Sequence, residues 1–470
     1  MHTLPNVDDP KSPAPQRPVD SLALFSMGMA VYGVFVFAAN ISGDLMGFWA
    51  ALPFALGLLL WPRSTPLLVI FMAWFVGYYL WRAPVRSNNQ TVAFFTCLTC
   101  LVVGLGGRLS RPEALTRRSL FAAFSGPARI VLVALYFYGI FHKINTDFLD
   151  PQVSCASVLY DQLARWVALD HWTPGYYVAI YSTFVFEGAA MLLLLSRRYK
   201  MWGFAIGLPF HIIIGFTGYS FYMDFSTLAV ALYLLQIPEE VADAINTRIL
   251  ARRPARAHPD GFWPHYRLFM IKAVVILGAL VGGVIALGGG KVRAMMIPFF
   301  AYSAVVYLGV LWLAWKHPWQ PLMGSPRWAW AWGVWVPLLF VLNGMSPYLG
   351  FKTESSIAMF SNLHTEGGVT NHLIVTHPID AFGYLGDLFT VTGADNPRIA
   401  RRYAQKEITR YELDRLRAQG VQLTAVPSSR RSSPEGPALS TNTFSETPWL
   451  ARKFLVFKPV DWARPKICSH

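Results

Sequence analysis

Residues 21–39 read SLALFSMGMAVYGVFVFAA, a stretch without a single charge. A helix needs about 20 apolar residues to cross the hydrocarbon core of a bilayer. Further apolar runs lie at 45–61, 66–81, 92–106, 128–143, 176–195, 201–217, 222–237, 268–288, 295–315 and 329–345. The expected fold is therefore an all-α polytopic membrane bundle of about eleven transmembrane helices over 21–350. Composition agrees: of 470 residues, 54% are hydrophobic, 15% aromatic and only 14% charged, against about 25% charged in an average soluble chain. That excludes a disordered protein, a collagen, a disulfide scaffold and an ordinary soluble enzyme. The polar tail 1–20 (MHTLPNVDDPKSPAPQRPVD) holds no basic–apolar–AxA arrangement at Met1, so the first run is expected to be retained as a span.

The net charge of +14 raises nucleic-acid binding, but most Lys and Arg before the last ~120 residues sit in loops between apolar runs. Arg108, Arg111, Arg117 and Arg118 share one loop, Arg197, Arg198 and Lys200 another, and Arg248, Arg252, Arg253, Arg256 and Arg267 a third. With the spans as counted, these loops fall on one side, which the positive-inside rule makes cytoplasmic. Loop 144–175 falls opposite, with Asp147, Asp150, Asp161 and Asp170 and a single fixed cation, Arg165. The N-terminus is then expected inside and the C-terminal region outside, with no nucleic-acid partner.

Residues 351–470 are expected to form a small extracytoplasmic α+β domain. Strands are expected at Asn371–Thr376, Asp387–Thr392, Val421–Val426 and Lys453–Phe457, and helix over Pro397–Gln419 with a break near Ile408. Thr409 and Glu412 have capping-box spacing, and Gly420 suits a helix stop. The segment 427–448 (PSSRRSSPEGPALSTNTFSETP) reads as a mobile linker.

Ionisable groups at membrane depth are expensive, so they are the candidate site. The sharpest cluster closes the fifth span: YFYGIFHKINTDFLD, 136–150, carrying His142 and Lys143. Two readings of Lys143 are open. A lysine at a span end commonly snorkels to the interface. An amine beside a desolvated wall or a second cation can instead lose its proton and act as a base. His211 lies in the seventh span, where hydrogen bonding to a neighbouring helix competes with catalysis. Glu187 lies in the sixth span with no charged neighbour in sequence, so it either carries a proton or finds a partner on another helix. Lys143, Glu187 and His211 come from three consecutive spans and could share one polar pocket near the outer face.

Other signals point to packing. Cys97 and Cys100 form a CxxC inside a span with no second pair. Cys155 and Cys468 both fall outside, where a disulfide is chemically possible, and the sequence leaves their pairing open. The paired and tripled glycines at 282–283 and 288–290 suit helix packing or helix ends, and the tryptophans between 312 and 335 suit an interfacial belt. No Walker, GxSxG or HExxH motif is present, and no metal is expected.

Three blocks then become recognisable. YGIFHKINTDFLDPQVSCA (138–156), FHIIIGFTGYSFYMDFSTLAVAL (210–232) and SPYLGFKTESSIAMFSNLHTEGGVTNHLI (346–374) resemble, in order, segments of the bacterial HTTM (horizontally transferred transmembrane) family. That family shares its membrane domain with the vitamin K-dependent γ-carboxylases, and the resemblance covers roughly 20–375. Lys143 corresponds to the second lysine of the carboxylases' Lys-Lys-Leu-Asp-Ala-Asp-Trp segment, the proposed base. His142 replaces the first lysine, Asp147 matches the last acidic position, and His211 matches the histidine of the second block.

The resemblance implies a quinol enzyme of the bacterial plasma membrane. Lys143 would take a proton from a reduced, vitamin K hydroquinone-like quinone, with His142, Glu187 and His211 tuning it. Tyr136, Phe141, Asn145 and Phe210 are the residues expected to contact the quinone. Reaction with O2 would give an epoxide and a strong base, able to take a proton from a peptide carbon for CO2 to trap. A site that excludes water is required, since so strong a base would otherwise be quenched. The region after the bundle is much smaller than in the animal carboxylases. The alternative is a non-enzymatic membrane protein that binds lipid or a secreted peptide or protein, such as an accessory factor in peptide maturation or export. The oligomeric state is not legible.

Overall fold

The computed structural model describes residues 19–470 except 41–44, 111–114, 197, 219–220, 238, 253–258, 317–324, 429–442, 463–464, 467 and 469–470. The expected tail 1–20 thus lies almost wholly outside the described residues, as does most of the expected linker 427–448.

The described residues up to Leu349 are mostly helical. In order they form α1 (Ser21–Asn40), α2 (Leu45–Leu60), α3 (Thr65–Arg82), α4 (Asn88–Ser110), α5 (Arg117–Phe141), the short α6 (Thr146–Leu149) and α7 (Cys155–Ala164), then α8 (Thr173–Leu195), α9 (Lys200–Gly215), α10 (Met223–Leu234), α11 (Glu239–Arg252), α12 (Pro259–Ala286), α13 (Lys291–Lys316), α14 (Arg327–Gly333) and α15 (Trp335–Leu349). Helices are the expected solution in lipid because every backbone N–H and C=O is satisfied within the segment.

Ten of the eleven expected spans each fall on one of these helices and the last, 329–345, is divided between α14 and α15, but the count of eleven does not follow from length. Among the described residues, seven helices are long and apolar enough to cross a membrane, and the pair Arg327–Gly333 and Trp335–Leu349, bent by 42°, makes an eighth if taken as one span. Ala51–Leu60, Trp202–Gly215 and Met223–Leu234 are apolar but shorter. The sequence reading counted apolar residues, and several of its runs extended into turns.

Parts of α1, α3, α4, α5 and α10 build the main core, around buried residues such as Phe25, Phe71, Phe124, Leu132 and Leu232. The helix α10 is buried along nearly its whole length, Asp224, Ser226 and Thr227 included. The span Phe262–Ala286 of α12 is the opposite case, with none of its residues buried. At one end of the bundle Arg117 forks onto Asp20 at 2.8 and 2.9 Å and bonds Thr65. The other end carries the small domain.

That domain is α+β, as expected, with a different layout. Its three-stranded antiparallel sheet has the order β2 (Glu407–Thr409), β1 (Leu388–Ala394), β3 (Leu423–Pro427). The expected helix Pro397–Gln419 is divided into α16 (Pro397–Tyr403) and α17 (Arg410–Ala418), with β2 at the break. Thr409 caps α17, its hydroxyl accepting from Glu412 N at 3.3 Å. Glu412 does not complete the capping box: its carboxylate is forked by Arg415 and reached by Tyr403. Gly420 follows in a left-handed conformation, φ 82°.

Two expected strands are not formed. Asn371–Thr376 contributes only one isolated bridge, His372 to Asn145, and Lys453–Phe457 contributes none. It follows the short helices α18 (Thr443–Glu446) and α19 (Trp449–Arg452). Leu455 and Phe457 pack into the domain core without a neighbouring strand, whereas Leu373 and Ile374 stand exposed.

The joint between bundle and domain is an irregular, nearly fully buried segment, 352–366. Ser355, Ile357, Phe360 and Asn362 all take positive φ there, between 53° and 66°. Side-chain amides satisfy much of its backbone. Asn343 donates to Ser355 O, Asn88 accepts from Ile357 N, and Asn145 donates to Ser361 O. Cys155 and Cys468 are joined as a disulfide across 313 residues of chain, tying the tail to α7. Cys97 and Cys100 are free and buried.

Candidate functional site

The last turns of α5 organise the candidate site. Successive helical residues differ by about 100° in direction, so Tyr136, Gly139 and Lys143 share one face and Tyr138 and His142 another. Phe137 and Phe141 lie between them, ring stacked on ring at 5.6 Å.

On the first face Lys143 Nζ donates to Glu187 Oε2 at 2.7 Å, with both side chains buried. Glu187 lies on the inward stripe of α8 with Ile180, Ala190 and Leu194. Gly139 leaves it room: a Cβ there would lie 3.1 Å from Glu187 Oε2. A second group sits beside the pair. His211 Nε2 bonds the Tyr136 hydroxyl at 2.8 Å, and Tyr136 bonds the Tyr233 hydroxyl. Glu187 is within electrostatic reach of both tyrosines, and Lys143 of His211. Ser226 anchors His211 through the histidine's own carbonyl, at 2.6 Å. Among the described residues no group bonds the buried His211 Nδ1.

Apolar groups close the pocket. The Phe148 ring lies 5.8 Å from Lys143 Nζ, with Phe184 edge-on behind it. Phe148 belongs to a buried cluster with Ile180, Tyr222 and Phe360, beside the Cys155–Cys468 bridge. Phe210 packs between His211 and the exposed Phe186, on the outer wall.

The structure thus brings together Lys143, Glu187, His211 and Tyr136, with Phe210 at the edge. It separates three other expected residues. His142 does not join Lys143: it turns to the second face, stacks on Tyr138 and bonds Tyr348 Oη at 2.8 Å. Phe141 faces that same group, against His372 and Tyr348. Asn145 is committed to backbone and to Asn371, whose side-chain amide donates to the Asn145 oxygen at 3.3 Å. Its amide nitrogen donates to the carbonyls of His142 and Ser361, and its oxygen caps α6 at Phe148 N. Adjacency in sequence placed His142 beside Lys143, and the 100° turn per residue parted them.

His372, in the second group, donates from Nε2 to Phe141 O and accepts at Nδ1 from Ile374 N and Val375 N. This arrangement fits the neutral ring, and burial holds it below the ordinary imidazole range. Asp147, the last acidic position of the first block, serves the domain joint: its carboxylate accepts from Lys466 N at 2.6 Å and lies 3.8 Å from His364 Nδ1.

Sequence reasoning missed Tyr233, Tyr348 and His372. For Tyr233 a signal existed: Gly207 and His211, four apart on α9, share a face, and a Cβ at 207 would collide with the hydroxyls of Tyr233 and Tyr136. Among the described residues no group of three or more His, Cys, Asp or Glu is arranged to hold a metal ion.

No family model, curated protein or solved structure matches the chain.

Proposed function

We propose that this chain is an integral membrane enzyme related to the γ-carboxylases that uses a reduced quinone and O2, with Lys143 as its base. In this reading all eleven helical segments belong to the membrane, the Arg117 end faces the cytoplasm and the small domain lies outside. A disulfide in that domain suits an oxidising compartment.

One observation carries the proposal: a hydrogen-bonded amine and carboxylate, Lys143 and Glu187, buried at 2.7 Å under an apolar cap. With the shared proton on Glu187 the Lys143 amine would be neutral and could take a proton from a weakly acidic quinol hydroxyl, the ammonium so formed being balanced by the adjacent quinol anion. Tyr136, fixed by His211 and Tyr233, supplies a hydroxyl that can orient a quinone oxygen. Phe148, Phe184 and Phe210 offer an apolar bed for a ring and an isoprenoid tail. Conversion of a bound reduced quinone to its epoxide would supply four electrons to O2, one oxygen atom staying in the epoxide and the other leaving as water, while a carbon acid loses its proton to the base so formed and is trapped by CO2.

The test uses full-length protein in nanodiscs with a reduced short-chain naphthoquinone, following oxygen uptake and epoxide formation. Turnover by wild type and its loss in Lys143→Met of preserved fold support the proposal. Absence of turnover, with no quinone retained through purification, overturns it in favour of a non-enzymatic protein that binds lipid or a secreted partner.

A further inference from the structure

The segment between α7 and α8 sorts its side chains by polarity. A 3-10 turn, Arg165–Val167, is followed by left-handed residues at Ala168 and His171, φ 53° and 61°. On the polar side Arg165 approaches Asp170 at 3.8 Å, and the Asp161 carboxylate accepts from His171 N and from the Tyr176 hydroxyl. Opposite, Trp166 is 76% and Val167 67% exposed, and Leu169 and Trp172 are about half exposed. The next residue, Thr173, begins the apolar span Thr173–Leu195, whose Val178, Tyr181 and Val185 carry the exposed surface onward.

A second loop does the same on the far side of α5. Leu373 N bonds Ile144 O just past the end of α5, and Ile379 N bonds Tyr348 O near the end of α15. Ile374 and Ile379 stand largely exposed there. Between the two loops, α5 presents the half-exposed Phe137.

We infer that these two loops, around 166–172 and 373–379, are seated in the interfacial layer of the bilayer and flank the lipid-facing side of α5. Both are pinned at the level where spans end, and both continue the apolar surface of those spans. Indole rings favour that depth. The charged and titratable groups at the first loop face one another, Arg165 with Asp170 and His171 with Asp161 and Asp170, which leaves little charge turned outward to select a charged protein partner. Exposed apolar groups of this density in water would mark an association site, and lipid covers them without one.

The experiment is spin-label accessibility on the full chain in nanodiscs. Val167→Cys and Ile379→Cys each receive a nitroxide, with Gln419→Cys on the small domain as the aqueous reference. Native cysteines are silent, being buried or disulfide-bonded. The expected result is high collision with O2 and several-fold lower collision with a water-soluble nickel chelate at 167 and 379 than at 419. Nickel accessibility at 167 or 379 equal to that at 419 overturns the inference. Dipolar broadening from a single label also overturns it, because a second copy would then cover the loop.

Discussion

Lys143 Nζ, in the turn that follows α5, and Glu187 Oε2, on α8, meet at 2.7 Å although 44 residues apart in the chain. Removing one partner of a buried pair strands the other, at a cost of about 3–5 kcal/mol. Lys143→Met is therefore expected to lower the melting temperature in detergent more than the double variant Lys143→Met/Glu187→Met does. A double-mutant cycle on thermal unfolding checks this, with a coupling of about 3 kcal/mol or more. Additive single effects would mean that the pair is not formed.

The Tyr136–Tyr233 contact depends on the missing side chain at 207. Gly207→Ala is expected to push the two hydroxyls apart and destabilise the bundle by about 1–3 kcal/mol. Tyr233→Phe in the same chain should restore part of the loss, since it removes the oxygen that a Cβ would strike. Unfolding midpoints of the single and double variants provide the measurement.

The Cys155–Cys468 bridge closes a long loop. Unfolded, unreduced protein is expected to show two reactive thiols of the four cysteines, at Cys97 and Cys100, and four after reduction. The Cys155→Ser/Cys468→Ser variant should lose about 2–4 kcal/mol of stability. Thiol counting by mass, then thermal unfolding, tests both parts.

Lys352 lies buried at the joint, and burial pushes its ammonium down to about 7 against the opposing pull of Glu354. Unfolded, it titrates near 10.4. Between these values the unfolded chain binds more protons, so this residue makes stability rise with pH from about 7 to about 10. Below pH 7 both states are protonated and the burial penalty is fully present. Wild type should therefore gain stability relative to Lys352→Met across that window, measured as the difference in unfolding midpoint against pH. A pH-independent difference would place the ammonium in water.

Much of the architecture was written in one-dimensional pattern. Apolar runs such as 21–39 located the helices because a segment in lipid must satisfy its own backbone, and that demand is local. The α+β character of the small domain, the Thr409 cap and the Gly420 stop were equally local. The strands expected at Asn371–Thr376 and Lys453–Phe457 failed because a strand needs a partner, which pattern alone does not supply.

For the site, the residue types at membrane depth singled out Lys143, Glu187 and His211, because the cost of burying a polar group is a property of the group itself. Which of them touch was decided by helix packing. The turn of α5 sent His142 toward Tyr348 and Lys143 toward Glu187, Gly207 let two tyrosines meet, and Asn145 was drawn into backbone capping. Chemistry was legible residue by residue; direction was not, since 100° of helical rotation and the choice of neighbouring helix exist only once the chain is packed.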